Sequence, residues 1–128
     1  HNAPNTKSNI IAKSIARNGG NATYTGTVRI GKNASNSKAY VKCDTILLDE
    51  LSKSDTIPKN ICLNDTSSLE HEATVSKVSD EKLFYLETKG IDEDKAREMI
   101  IMGFIDEFRE ELPMEYAVEL NKLLKFKF

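Results

Sequence analysis

The thiol of Cys43 is the side chain of this sequence best suited to carry sulfur or to bind a soft metal. Cys43 stands between Lys42 and Asp44, inside an alternating run of residues that predicts a β-strand. A thiolate is both a nucleophile and a soft metal ligand, and a neighbouring lysine favours the ionised form. The alternative is that Cys43 is a small buried hydrophobic residue. The other cysteine, Cys62, lies between two apolar residues, which favours a structural role.

The densest group of potential metal ligands is Glu70-His71-Glu72. On a strand, Glu70 and Glu72 project from one face and His71 from the other, so one strand cannot present all three to one ion. The spacing differs from the helical H-E-x-x-H motif of zinc proteases, and the sequence contains no C-x-x-C pair. The alternative is a solvated edge strand whose histidine has no ligand function.

Composition and the remaining motifs argue against several classes of protein. Histidines stand only at positions 1 and 71, which leaves few candidates for a nucleophile, a base and its orienting group. Gly19-Gly20 predicts a turn and not a phosphate-binding loop. The net charge of −2 argues against nucleic-acid binding, and no apolar run approaches the roughly 20 residues of a membrane span. A polar N-terminus without a secretory signal, together with only two cysteines, favours a reducing compartment.

The candidate residues lie in a first half that has the pattern of β-strands. Residues 1–78 contain nine of the ten asparagines, which favour corners, and carry ten Lys or Arg against seven Asp or Glu. Alternation predicts strands at 23–30, 38–48 and 69–78, with shorter apolar runs near Ile57 and Ile61. Many short strands without helices indicate a sandwich, a barrel or a β-solenoid. Because so short a stretch has a small core, we expect it to be the end of a longer solenoid.

The second half, residues 79–128, predicts a small acidic helical subdomain, with eight Lys or Arg against thirteen Asp or Glu. Ser79 is a candidate N-cap, Gly90 a left-handed C-cap, and Asp92 the start of a second helix. Pro113 can occupy the first position of a third helix. The predicted apolar stripe of the second helix consists of Ala96, Met99, Ile100, Gly103, Phe104 and Phe108.

Eight segments, spread in order along the chain, resemble one known family. They are HNAPNT (1–6), YTGTV (24–28), VKCD (41–44), SDTIP (54–58), EHEATVSK (70–77), LFYLETKGI (83–91), GFI (103–105) and LPMEYAVELN (112–121). On these motifs the chain is similar to the C-terminal portion of SufB-type members of the SufB/SufD family of iron–sulfur cluster assembly proteins. Glu72 after His71 and the run at 112–121 favour the SufB type over the sister SufD type, which usually carries a small residue in place of that glutamate.

The resemblance implies a mainly β fold with added helices: the last coils of a right-handed parallel β-helix in residues 1–78, followed by the helical subdomain in 79–128. It implies that Cys43 accepts sulfur or ligates iron, with Glu72 as a second, oxygen ligand of a transient iron–sulfur cluster. His71 and Glu70 lie beside this site, and adjacent coils would bring Cys43 and Glu72 close together.

The resemblance also implies the partners of the chain. The helical subdomain would dock a SufC-type ATPase, with Phe104, Phe108 and Tyr116 as candidates either for docking or for packing the helices. A SufD-type sister subunit or a second copy, and sulfur donor proteins, are the other expected partners, with no nucleic acid and no membrane. The chain would be a scaffold and not an enzyme, with ATP hydrolysis on the SufC-type subunit, in the cytoplasm or a plastid-type organelle.

Two alternatives remain at this stage. The first is a SufD-like structural partner that holds no cluster of its own and is indifferent to changes at Cys43 and Glu72. The second is a β-solenoid acyltransferase, for which Ile30-Gly31 hints at a six-residue repeat, although no run of such repeats follows.

Overall fold

The chain forms two compact units, His1–Lys77 and a second unit that begins at Val78. A computed structural model describes residues 1–127, with side chains as far as Leu124; Phe128, the last residue of the predicted helical subdomain, lies outside the described residues. The elements are β1 (Lys7–Ala16), β2 (Asn21–Ile30), β3 (Lys38–Leu47), β4 (Lys53–Cys62), β5 (Ser68–Lys77), α1 (Asp80–Thr88), α2 (Glu93–Glu110) and α3 (Met114–Lys127).

The five strands form two parallel sheets of a β-helix-like fold. One sheet has the order β1-β3-β5 and the other pairs β2 with β4. Lys7 pairs with Lys38, and Lys38 pairs with Ser68. Successive strands thus alternate between the two sheets, and each coil stacks its strands on those of the coil before it. The predicted β-helix coils followed by a small helical part are therefore confirmed.

The corners that precede β1 and β3 repeat in sequence and in structure. The segment NAPNTK at residues 2–7 recurs as NASNSK at 33–38, a repeat far longer than six residues. Asn5 and Asn36 both adopt the left-handed backbone conformation, with φ of 59° and 53°. Asparagine tolerates this conformation better than most residues, which accounts for Asn5 and Asn36 at these corners.

Hydroxyl groups connect these corners from one coil to the next. Thr6 Oγ1 and Ser37 Oγ lie 2.9 Å apart, and the Ser37 amide donates to Ser67 Oγ at 2.9 Å. Ser37 is completely buried, and its Oγ also accepts from the Thr6 amide at 3.2 Å. This ladder of Thr6, Ser37 and Ser67 satisfies polar groups that would otherwise be buried without partners.

Strand β1 has no counterpart among the strands that the pattern predicts. Its apolar residues Ile10 and Ile11 are adjacent, which breaks the alternation expected of a half-buried strand. Strand β4 is a full strand of ten residues where the sequence indicated only short apolar runs. Polar residues lie on both of its faces, so the sequence shows no alternation of apolar and polar side chains that would predict the strand. The other three strands lie within two residues of their predicted bounds.

The core of the first unit lies between the two sheets. It consists of side chains that alternate along β2 and β3 and one corner alanine: Val28, Ile30, Ala34, Ala39, Val41 and Cys43. Tyr24, Ala12 and Leu69 pack against this group while remaining partly accessible. Cys43 is therefore a member of the core.

Helices α1 and α2 begin where the sequence predicts and α1 ends as predicted, whereas α3 begins at Met114, one residue after Pro113, the predicted first position. Ser79 Oγ accepts from the Lys82 amide at 3.2 Å, and Asp92 Oδ1 accepts from the Lys95 amide at 2.9 Å. Gly90 has a φ of 84°, the left-handed value expected of a residue just after a helix. Within the described residues no helix is both long and apolar enough to cross a membrane.

The predicted apolar stripe of α2 is wrong in part. The buried residues are Ala96, Ile101 and Ile105, whereas Met99 and Phe108 are 46% and 41% exposed. Apolar residues occupy more than one stripe of this helix, so spacing alone did not identify the face that packs.

The hydroxyl ladder leads to a first prediction. The substitution Ser37→Ala should lower the free energy of unfolding by about 1–3 kcal/mol, because the Thr6 amide loses its buried acceptor. Urea denaturation of the chain measures this, with Ser76→Ala, at an exposed position of β5, as the control. Equal stability of the two variants would contradict a role of the ladder in holding the coils together.

Candidate functional site

Cys43 lies near the middle of β3, on the face that points between the sheets. It is 4% exposed, and its register partners on the neighbouring strands are Ala12 and Ala73. Both partners are small, so the thiol is flanked within its sheet by two methyl groups. The location agrees with the alternative interpretation of Cys43 as a buried small residue and also places it inside a β-helix.

Burial holds Cys43 in the thiol form. Burial raises the pKa of Cys43, and the negative charge of Asp44 raises it further. The prediction that Lys42 favours the thiolate of Cys43 is wrong for this arrangement. Alternation puts Lys42 on the opposite face of β3, where its Nζ lies 3.5 Å from Asp44 Oδ2. A thiol in this state is a poor nucleophile and a poor metal ligand.

Glu70, His71 and Glu72 lie on β5 in the alternating arrangement that the sequence predicts. Glu70 and Glu72 are exposed on the outer face of the sheet, opposite Tyr40 and Lys42 of β3. The Tyr40 hydroxyl donates a hydrogen bond to Glu72 Oε2 at 2.8 Å. This hydrogen bond is the largest cause of a raised pKa of Tyr40, so the phenol remains a donor well above neutral pH.

His71 points to the inner face and is half-buried. Its register partner is Val41, two residues before Cys43 on the same face of β3. The ring of Tyr24 lies edge-on to it, with centroids 6.3 Å apart and planes at 82°. Neither ring nitrogen is accessible, and within the described part of the chain neither has a hydrogen-bond partner.

The structure therefore brings the candidate residues together in two groups. Cys43 and His71 share the space between the sheets, while Glu72 and Glu70 lie on the outside. Glu72 is on the strand next to Cys43, with Ala73 and not Glu72 as the register partner of the cysteine. In the part of the chain that the structure describes, no three His, Cys, Asp or Glu side chains are placed to hold one metal ion.

Sequence reasoning missed a charged cluster on the outer face, centred on Asp44. The Asp44 carboxylate is largely buried, lies 3.7 Å from Lys13 Nζ, and accepts a hydrogen bond of 2.6 Å from Thr74 Oγ1. Lys13 and Thr74 are the register partners of Asp44, so this cluster crosses all three strands of the sheet. An aspartate within a strongly apolar strand was the signal that could have indicated it, because a buried carboxylate requires partners.

Tyr40 also lines a groove of about 450 Å³ at the start of the three-stranded sheet. Lys7 and Lys38, which are neighbours in register, also line this groove, together with Ser68 and Glu70. The groove borders the outer group that contains Glu72.

Cys62 is exposed, although its apolar neighbours favoured a structural role. It ends β4 in register with the buried Ile30, and its Sγ lies 3.4 Å from the carbonyl oxygen of Asn64. Because β4 pairs only with β2 among the described residues, it forms an edge of the two-stranded sheet, which accounts for the exposure of Cys62.

The aromatic candidates of the helical unit differ in accessibility. Tyr116 is 67% and Phe108 41% exposed, whereas Phe104 is half-buried. Phe84, Tyr85 and Met114 are also exposed, at 67%, 61% and 77%, although the sequence did not indicate them as candidates for docking a partner. Tyr116 and Phe108 are thus free to meet a partner, and Phe104 belongs partly to the packing of its own unit.

Comparison with known proteins agrees with this fold. Residues 1–104 match the family model described as "SUF system FeS cluster assembly, SufBD core domain". The chain belongs to the SufBD family. It is 58% identical over 127 residues to the iron–sulfur cluster assembly protein SufB of Bacillus subtilis, and equally to SufBD family proteins of Staphylococcus haemolyticus and Staphylococcus aureus. These matches cover 99% of this chain but 27% of each relative, so the chain spans about a quarter of their length and corresponds to their C-terminal portion.

The two cysteines of this SufBD chain should differ in reactivity. A thiol reagent should modify Cys62 quickly and Cys43 at least about tenfold more slowly, because Cys43 is enclosed and its pKa is raised. The Cys43 rate should keep rising with pH beyond the usual thiol range, since a raised pKa leaves less thiolate at a given pH. Mass spectrometry of Cys62→Ser and Cys43→Ser follows each site alone. Equal rates in the native chain, without added denaturant, would contradict the burial of Cys43.

Proposed function

We propose that this chain is the C-terminal part of a scaffold on which iron–sulfur clusters are assembled, with Cys43 as the residue that receives sulfur or ligates iron. Membership of the SufBD family supports the process. The observation that carries the residue assignment is the position of Cys43 between the two sheets, where a thiol is shielded from oxidants and from competing metals. Thiolate is the ligand that holds iron–sulfur clusters in proteins.

Such a scaffold must open before Cys43 reacts. The enclosed thiol has a raised pKa, so sulfur transfer needs a state in which the thiol is accessible and ionised. An ATPase subunit of the SufC type would supply the energy for this change, and ATP hydrolysis would take place on that subunit. The scaffold itself would act as a non-enzymatic component in the bacterial cytoplasm, receiving sulfur from donor proteins.

Glu72 is proposed as an oxygen ligand that binds the cluster more weakly than a thiolate and so permits its transfer. In the closed arrangement Glu72 and Cys43 face opposite sides of one sheet. Both reach one cluster only after β5 has shifted, and β5 is an edge strand whose last six residues are all exposed. Because the described residues supply no group of three ligands, the remaining ones would come from a SufD-type sister subunit or from a second copy.

The helical unit is the proposed docking surface for the ATPase. Tyr116 on α3 and Phe108 on α2 expose aromatic rings among acidic side chains, a combination that fits a partner with a basic-rimmed apolar groove. Phe104 is the weaker candidate because it is half-buried.

The role of Cys43 has a direct test in the full-length protein with its partner subunits. Cys43→Ala should abolish cluster assembly, measured by the visible absorbance of the cluster, while the melting temperature changes by only a few degrees. Cys62→Ala is the matched control and should assemble clusters at the normal rate, because Cys62 lies at an exposed strand end. Assembly retained in Cys43→Ala would reject the assignment and favour the SufD-like role, that of a structural partner without a cluster.

Docking has its own test by capture of the purified SufC-type ATPase. The double variant Tyr116→Ser/Phe108→Ser should reduce capture at least about tenfold, since exposed aromatic residues are typical interface anchors. Tyr85→Ser, an equally exposed tyrosine on α1, should bind as the unmodified chain does. If Tyr85→Ser alone abolishes capture, the docking surface lies on α1 and the assignment to Tyr116 and Phe108 is wrong.

A further inference from the structure

The hydroxyl group of Tyr40 contacts only one of the two exposed glutamates of β5. It donates to Glu72 Oε2 at 2.8 Å. Tyr40 is in register with Glu70, and Glu72 is in register with Lys42. The phenol therefore reaches past its own register partner to the glutamate two residues further along the strand.

This contact distinguishes two carboxylates of the same chemistry. Glu70 borders the same groove as Tyr40, yet among the described residues its carboxylate makes no hydrogen bond and no ion pair. An exposed glutamate samples many side-chain conformations, whereas the half-buried ring of Tyr40 stands on the central strand of the sheet. A hydrogen bond from a fixed donor reduces the freedom of Glu72 and leaves that of Glu70 unchanged.

Strand register places the Glu72 carboxylate on the outer face of the sheet, and the hydrogen bond from Tyr40 helps to hold it there. Tyr40 projects from the outer face, and Cys43 projects between the sheets. As long as Glu72 accepts from Tyr40, its carboxylate stays on the side away from Cys43. A cluster begun on Cys43 gains Glu72 as a ligand only after β5 has shifted, and that shift must break this hydrogen bond.

We propose that Tyr40 is a positioning residue that restrains Glu72 on the outer face of the sheet until a cluster is assembled. The inference rests on the proposed function, because it takes Glu72 to be a cluster ligand. Tyr40 touches neither sulfur nor iron in this role. It controls how quickly the carboxylate becomes available.

The test uses Tyr40→Phe in the full-length protein with its partner subunits, because phenylalanine keeps the ring and removes only the hydroxyl. The initial rate of cluster assembly should rise about two- to tenfold, the effect expected from the loss of one hydrogen bond, while the final yield per scaffold stays the same. Tyr85→Phe, on an exposed tyrosine of the helical unit, is the matched control and should keep the normal rate. An unchanged or lower rate in Tyr40→Phe overturns the proposal.

Two glutamate variants separate failure of this inference from failure of the proposed function. Glu72→Gln should abolish assembly; if it assembles clusters normally, Glu72 is no ligand and both ideas fall. If Glu72→Gln is inactive but Tyr40→Phe behaves as the unmodified protein, only the positioning role is wrong.

Raman spectra of the present chain report tyrosine hydrogen bonding directly. Glu72→Ala should alter the tyrosine signal because Tyr40 loses its acceptor, and an equal change in Glu70→Ala would overturn the selectivity for Glu72.

Discussion

In-register stacking of parallel strands determines the position of every candidate residue in this chain. Side chains alternate between the two faces of a strand, and parallel neighbours in register keep the same face. Cys43 therefore shares its face with Ala12 and Ala73, and Glu72 shares the other face with Lys42. A shift of β5 by one residue would exchange its two faces, and Glu72 and His71 would change places. The chemistry proposed for the site depends on this register more than on any single contact.

The corners keep the register in place. The hydroxyl groups of Thr6, Ser37 and Ser67 connect three successive coils, and the Asp49 carboxylate links two coils at another corner through the amides of Asn18 and Ser52. Some of these hydrogen bonds cross from one coil to the next, so each coil depends in part on its neighbours. Such dependence is typical of a fold in which each repeat is stabilised by the repeats next to it.

Much of the fold could be predicted from the sequence, because alternation, helix caps and corner asparagines are local signals. Ser79, Gly90 and Asp92 take their predicted roles, and β2, β3 and β5 lie close to their predicted bounds. Strand β1 was missed because Ile10 and Ile11 interrupt the period, although the repeat of NAPNTK as NASNSK would have revealed it.

The candidate site was less predictable than the fold. The opposite faces of His71 and Glu72 follow from alternation, and the sequence indicated them. The pairing of Lys13 with Asp44, the burial of Cys43 and the reach of Tyr40 to Glu72 depend on which strands are neighbours. No local pattern contains that information. The packing face of α2 was ambiguous for a related reason, since Ile101 and Ile105 are buried by contacts made within the helical unit.

All five strands are ten residues long, whereas the corners between them differ in length. Four residues separate β1 from β2 and five separate β3 from β4, yet the pairing continues without a bulge from Lys7 to Ala16 and from Asn21 to Ile30. Insertions and deletions at the corners are thus absorbed before they reach the strands. A single residue added inside β3 would instead turn Cys43 to the solvent side and Lys42 to the interior. During evolution of such a fold, a change in length is therefore tolerated better at a corner than inside the strand that carries the thiol.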